Sequence, residues 1–112
     1  MTNVSRSGSF FAAAALCALA LIPVSASAVT GNPAAGKDKI SQCIGCHAIP
    51  GYRASFPSVY RVPMISGQSA KYIESALAAY KKGDRSHPTM RAIAGSLSDQ
   101  DMADLAAYYG SK

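Results

Sequence analysis

The stretch that decides the fold is Cys43-Ile44-Gly45-Cys46-His47. Two cysteines three positions apart lie on one face of a helix, and the next residue carries an imidazole. Two thiols so placed can each add to one vinyl group of a single porphyrin, and the histidine then reaches the iron from the proximal side. This is the haem c attachment pattern C-x-x-C-H. Gly45 adds little bulk where the ring edge has to come close. A thioredoxin-like reading needs a strand before the motif and a βαβ setting, and neither is evident. A zinc site needs four ligands. Cys43, Cys46, His47 and His87 would supply the number, but the context of an exported chain argues against it.

Upstream of the motif, residues 1–28 read as a secretory signal peptide. Arg6 supplies the positive start, Phe10 to Ile22 is an uncharged apolar run, Pro23 breaks it, and Ala26-Ser27-Ala28 offers a small-residue cleavage site. The run is about 13 residues, short of the roughly 20 that a bilayer span requires, so a membrane anchor is expected only if the signal stays uncleaved. Cys17 follows Leu16 rather than a small residue and is read as part of the signal, not as a lipid attachment site. Cleavage would leave residues 29–112 as one domain, exported to the periplasm. Chains of that size sit near the lower limit for a self-sufficient core. With only Cys43 and Cys46 left there is no disulfide framework, and the expected staple is a large apolar cofactor.

The domain holds ten Lys and Arg against six Asp and Glu, a formal +4 that the two propionates of a haem would lower. The cations are scattered from Lys37 to Lys112 without interleaved aromatics, so nucleic-acid binding has little support. A mild positive surface suits encounters with acidic redox partners. It equally suits a surface with no partner role.

Three helices are predicted in an all-α domain. The first runs from about Pro33 to Cys46 with Asn32 as N-cap. The second covers Ser69 to Lys82, with an apolar stripe of Tyr72, Ile73, Ala76, Leu77 and Tyr80 and a stop at Gly83. The third covers Asp99 to Tyr109, capped by Ser98 and favoured by Asp99 and Asp101 in its first turn. The loop from Ala48 to Gly67 is too rich in Pro and Gly for a regular element. It also carries Tyr52, Phe56, Val59, Tyr60, Val62, Met64 and Ile65, so it must cover something. A second loop spans Asp84 to Ser96, with a short helical turn over Arg91 to Ala94.

His47 leaves one axial position on the iron. Met102 falls on the apolar face of the last helix and reads as core. Met90, in the second loop behind Pro88, is the leading candidate for the sixth ligand, with His87 and Met64 as alternatives. A thioether there favours reduced iron and raises the potential relative to a second imidazole.

At these residues the chain resembles the class I c-type cytochromes of bacteria, most of all a single domain of the cytochrome c4 type and its c-553-like relatives. The resemblance covers residues 29–112. It rests on Ser66-Gly67-Gln68, Tyr72-Ile73, Tyr80-Lys81-Lys82-Gly83, the run from Met90 to Leu97-Ser98-Asp99-Gln100-Asp101, and Leu105-Ala106-Ala107-Tyr108-Tyr109. It implies a small cytochrome c fold of three main helices around one covalent haem, bound through Cys43 and Cys46, with His47 and Met90 on the iron. It implies that Gly36 lets the first helix cross the last closely, with Tyr108 at the crossing, and that a backbone carbonyl, often from Pro, orients the His47 ring. The loop between His47 and Gly67 is longer than in typical c4 domains, with extra residues around Tyr52 to Val59. This leaves Pro57, Tyr60 and Pro63 as sources of that carbonyl. The implied function is a diffusible periplasmic electron carrier, not an enzyme, serving donor and acceptor cytochromes, a dehydrogenase or an oxidase. The alternatives are an electron-transfer subunit of a larger oxidoreductase and a haem sensor with a displaceable sixth ligand.

Overall fold

A computed structural model describes residues 29–112. The expected signal peptide and its cleavage site lie outside the described residues. The elements in order are α1 (Pro33–Lys37), α2 (Ser41–His47), β1 (Arg53–Ala54), β2 (Tyr60–Arg61), α3 (Ala70–Lys82), α4 (Pro88–Ser96) and α5 (Asp99–Gly110). The domain is all-α apart from one two-residue antiparallel ladder that pairs Arg53 with Arg61 and Ala54 with Tyr60. Among the described residues no helix is long and apolar enough to cross a membrane.

Two boundaries differ from the sequence expectation. The first predicted helix is two helices. Asn32 caps α1 by accepting from the amides of Ala34 and Ala35, but the chain turns at residues 38–40 before α2 begins. The turn lets Lys39 reach α5, where its Nζ meets Asp101 at 2.7 Å and Asp104 at 2.6 Å. The second difference concerns Met90, which lies on the first turn of α4 and not in a loop. Pro88 sits at the helix start, where its missing N–H costs nothing, and the His87 imidazole accepts the Met90 N–H at 3.4 Å. An imidazole cap is outside the usual Ser, Thr, Asp and Asn set, which hides this helix from a sequence reading.

The last helix organises the rest. Ser98 and Asp101 form a reciprocal capping box at its start. It packs against both α1 and α3, while α4 packs against α3. Gly36 sits against α5 so closely that a Cβ there would collide with the carbonyl oxygen of Asp104 and lie 2.8 Å from the Tyr108 Cβ. This is the close crossing of first and last helices that the resemblance implied. Asp104 is buried at this crossing, 2% exposed. It accepts from the Asn32 amide at 2.8 Å, Lys39 Nζ and Gln100 Nε2, so its charge is fully partnered.

The core is thin. Ile73, Leu97, Met102, Leu105, Ala106 and Tyr109 form it, and among the described residues no large side chain is completely removed from solvent. Met102 is a packing residue at 4% exposure, as its position on the apolar face of the helix suggested. What the core lacks in side chains it faces as open space, because Ile73, Leu97, Leu105 and Tyr109 also line a cavity.

Candidate haem site

The cavity measures about 450 Å³ and lies between α2, the loop after it, α3, α4 and α5. Cys43, Cys46, His47 and Met90 all line it, as do Met64 and His87. Four side chains singled out from separate parts of the sequence thus share one cavity.

On α2 the two cysteines are three residues apart, one helical face, and neither is in a disulfide. Cys43 is the deeper of the pair and packs against the core. Burial pushes its thiol pKa up, with the neighbouring Tyr109 hydroxyl opposing the shift in part. That wall therefore tolerates sulfur in a neutral form, which is what a thioether is. Burial and then the Cys43 sulfur push the Tyr109 hydroxyl far above its ordinary value. In geometric terms this hydroxyl has no hydrogen-bond partner although it is buried.

His47 is held by the loop that crosses the cavity. Its Nδ1 lies 2.7 Å from the Pro63 carbonyl oxygen. A carbonyl can only accept, so Nδ1 carries a proton, and in the neutral ring Nε2 keeps its lone pair. This is the tautomer an iron ligand requires, with the ring fixed by its second nitrogen. Of the three carbonyls left open by the sequence, Pro63 is the one in place. Its peptide is positioned where the chain leaves β2 toward α3, and Val62 N–H donates to the Tyr52 carbonyl at 3.0 Å just before it.

Met90 is half-buried on α4, whereas Met64 is half-exposed at 50%. His87 spends Nδ1 on the α4 cap, and its ring leans on Tyr60 with centroids 5.6 Å apart. The residues that would make a zinc centre are not gathered: among the described residues no group of three or more His, Cys, Asp or Glu side chains is arranged for a metal ion. The donors instead fit a flat apolar ring. They comprise two thiols on one helical face, one imidazole in the ligand tautomer, a thioether, and walls of Ile, Leu, Val and Tyr next to a thin core.

Sequence reasoning missed Arg85, which also lines the cavity and donates to the Tyr72 hydroxyl at 3.4 Å. It missed the Lys39–Asp101–Asp104 cluster as well. In both cases a residue outside the helices, in a turn or loop, meets a helix, and no spacing rule links the partners.

The sequence model of the family described as Cytochrome c matches residues 33–111. Cytochrome c-554(548) of Halomonas halodenitrificans is 44% identical over 85 residues, covering 73% of this chain and 98% of that protein. Cytochrome c4 of Pseudomonas aeruginosa is 35% identical over 82 residues, 73% of this chain but 39% of the longer relative. The cytochrome subunit of sulfide dehydrogenase of Chlorobaculum tepidum is 33% identical over 69 residues, 62% of this chain and 58% of that subunit. The family carries covalently attached haem c, and the thiols, imidazole and apolar walls described above suit that group. The chain belongs to the cytochrome c family, as a class I c-type cytochrome.

Proposed function

We propose that this protein is an exported electron carrier with a single haem c, working in the periplasm once residues 1–28 are removed. Cys43 and Cys46 would hold the group through two thioethers, each S–H adding across one vinyl double bond with no net oxidation. His47 Nε2 and Met90 Sδ would be the protein's ligands to the iron. The bound group supplies a reversible one-electron couple. The chain supplies orientation, a low-dielectric pocket and exclusion of ligands.

The observation that carries the reading is the His47 Nδ1 contact with the Pro63 carbonyl on the wall of the cavity that also holds both thiols. It fixes the tautomer and the ring plane before any metal is considered. With His47 and Met90 as its ligands the iron would offer no coordination site to a substrate, which supports a carrier rather than an enzyme. Its partners are redox proteins that approach the haem edge, helped by the modest positive charge of the domain.

A second reading has one specific support, the likeness to a relative named as the cytochrome subunit of sulfide dehydrogenase. In that case the same haem would serve a permanent partner, and gel filtration of the native complex separates the two. The primary test is the spectrum of wild type and Met90→Ala matured with haem. Oxidised wild type should show the sulfur-to-iron charge-transfer band, and the variant should lose it. A band that survives Met90→Ala removes Met90 from the iron.

A further inference from the structure

The segment between β1 and β2 carries the two most exposed large apolar side chains of the described residues, Phe56 at 66% and Val59 at 71%. Burying such side chains is favourable, and nothing among the described residues covers them.

The ladder beneath them sorts charge from cavity wall. Directly opposite residues of an antiparallel pair share a face, and successive residues alternate. Ala54 and Tyr60 are one such pair, and both line the cavity. Arg53 and Arg61 are the other, so they take the outer face, where both are exposed. Like charges directly opposite one another destabilise a ladder. Nothing nearby in sequence relieves this pair, because residues 39–73 contain no Asp or Glu. The ion pairs of the described residues engage Lys39 and Lys81. Two guanidiniums are thus held side by side without a carboxylate, below an uncovered apolar tip.

Both features work against the isolated domain, and both are relieved by one kind of occupant. Arg and aromatic side chains are enriched at the centres of protein interfaces. A second copy is a poor fit, because a two-fold contact brings a patch onto itself and would set arginine against arginine. The segment is also part of the cavity wall, through Ala54, Ser55, Phe56 and Tyr60. Whatever docks on it therefore lies beside the haem, which serves a protein that exchanges electrons and not a lipid surface. We propose that this segment is the docking surface for an acidic redox protein, with Arg53 and Arg61 engaging its carboxylates and Phe56 and Val59 entering an apolar patch between them. The proposal rests on the haem reading given above.

The test uses holoprotein with covalent haem, and its probe is a flavodoxin in the hydroquinone state, an acidic one-electron donor. Stopped-flow absorbance follows reduction of the ferric protein over a series of salt concentrations. Three double variants are compared with wild type: Arg53→Gln with Arg61→Gln, Phe56→Ser with Val59→Ser, and, as a charge control on α3, Lys71→Gln with Lys82→Gln. At low salt the arginine variant should react about tenfold more slowly, the loss of two exposed ion pairs, with a shallower salt dependence. The control should lose markedly less. At about 1 M salt, where charges are screened, the arginine variant should match wild type while the Phe56 and Val59 variant stays slower. The arginine variant should keep the wild-type Tm or exceed it, since a like-charge pair has gone.

An arginine variant no slower than the control overturns the proposal, and so does a Phe56 and Val59 variant that matches wild type at every salt concentration. A Tm fall beyond about 5 °C in the arginine variant would make the pair structural and also overturn it. Wild type that pellets with phosphatidylglycerol vesicles, or sediments as a dimer, and is released by the Phe56 and Val59 substitutions would give the surface to a membrane or to a second copy instead. A wild-type chain whose mass shows no covalent haem would fail earlier and would remove the functional reading itself.

Discussion

Replacing Gly36 with Ala tests the helix crossing on which the architecture depends. In the structure a Cβ at residue 36 would lie 2.7 Å from the Asp104 carbonyl carbon and 2.8 Å from the Tyr108 Cβ, and closer still to the Asp104 carbonyl oxygen. Two of these atoms are backbone and the third is a Cβ, so no side-chain rotation relieves the overlap. Ordinary contact with the Tyr108 Cβ begins at 3.4 Å, so α1 has to retreat from α5 by roughly 0.6 Å or more, an overpacking that costs about 1–3 kcal/mol. The retreat also stretches the Asn32 N–H bond to Asp104, now 2.8 Å, a loss of about 1 kcal/mol. Alanine returns up to ~1 kcal/mol through helix propensity. The net expectation is a destabilisation of about 2 kcal/mol, or roughly 8–16 °C in Tm for a domain of this size. Thermal and guanidinium unfolding of the holoprotein, followed by far-ultraviolet circular dichroism, measure it. Gly95→Ala is the control, because nothing lies within 4 Å of a Cβ there; it should be neutral or stabilising by up to ~1 kcal/mol. If Gly36→Ala lies within about 0.5 kcal/mol of wild type, the scatter of an ordinary surface substitution, the crossing is not sterically limited and the reasoning fails.

Further outcomes follow from other parts of the structure. Lys39 holds the Asp101 and Asp104 carboxyls below their ordinary 3.8, helped by Ser98 at the first and by Asn32 and Gln100 at the second. Asp101, then Asp104, hold the Lys39 ammonium above 10.5. The carboxylate contribution is thus complete above pH 3.8 and lost as pH falls through the depressed values; the Lys39 contribution is complete below 10.5 and lost as pH rises through the raised one. In a Tm–pH series Lys39→Met should move the acid limb to higher pH, and an unmoved limb would contradict the pairing. Tyr109→Phe removes a buried hydroxyl that lacks a partner, so it should leave stability equal to wild type or raise it by about 1 kcal/mol; a Tm drop beyond 5 °C would show that the hydroxyl has a partner after all. Cys43→Ser with Cys46→Ser should produce a chain with little helical dichroism, because the core is too thin without its filler. A fully helical, cooperatively unfolding double variant would refute that.

The regular helices were legible because their signals are local. Gly83 punctuates the end of α3, and the Ser98–Asp101 box marks the start of α5 to the residue. The attachment motif was equally local. Harder features depend on partners far along the chain. The break between α1 and α2 follows from Lys39 reaching Asp101 and Asp104, which lie more than 60 positions later. The extent of α4 depends on an imidazole acting as N-cap. The choice of Pro63 over Pro57 or Tyr60 depends on where a loop crosses the cavity, and a single sequence carries no rule for that. Gly31 illustrates the same limit. A Cβ there would collide with the Ala103 carbonyl oxygen, yet in sequence it is an ordinary glycine before a helix.

The ladder between Arg53–Ala54 and Tyr60–Arg61, closed at its base by Val62 N–H on the Tyr52 carbonyl, makes the segment between them a self-contained flap. Its hinge points are tied to each other, and the chain meets His47 only afterwards, through Pro63. Residues can therefore be added or removed at the tip without altering the distance between imidazole and tether. The flap is a module whose length can drift while Pro63 stays in register with His47.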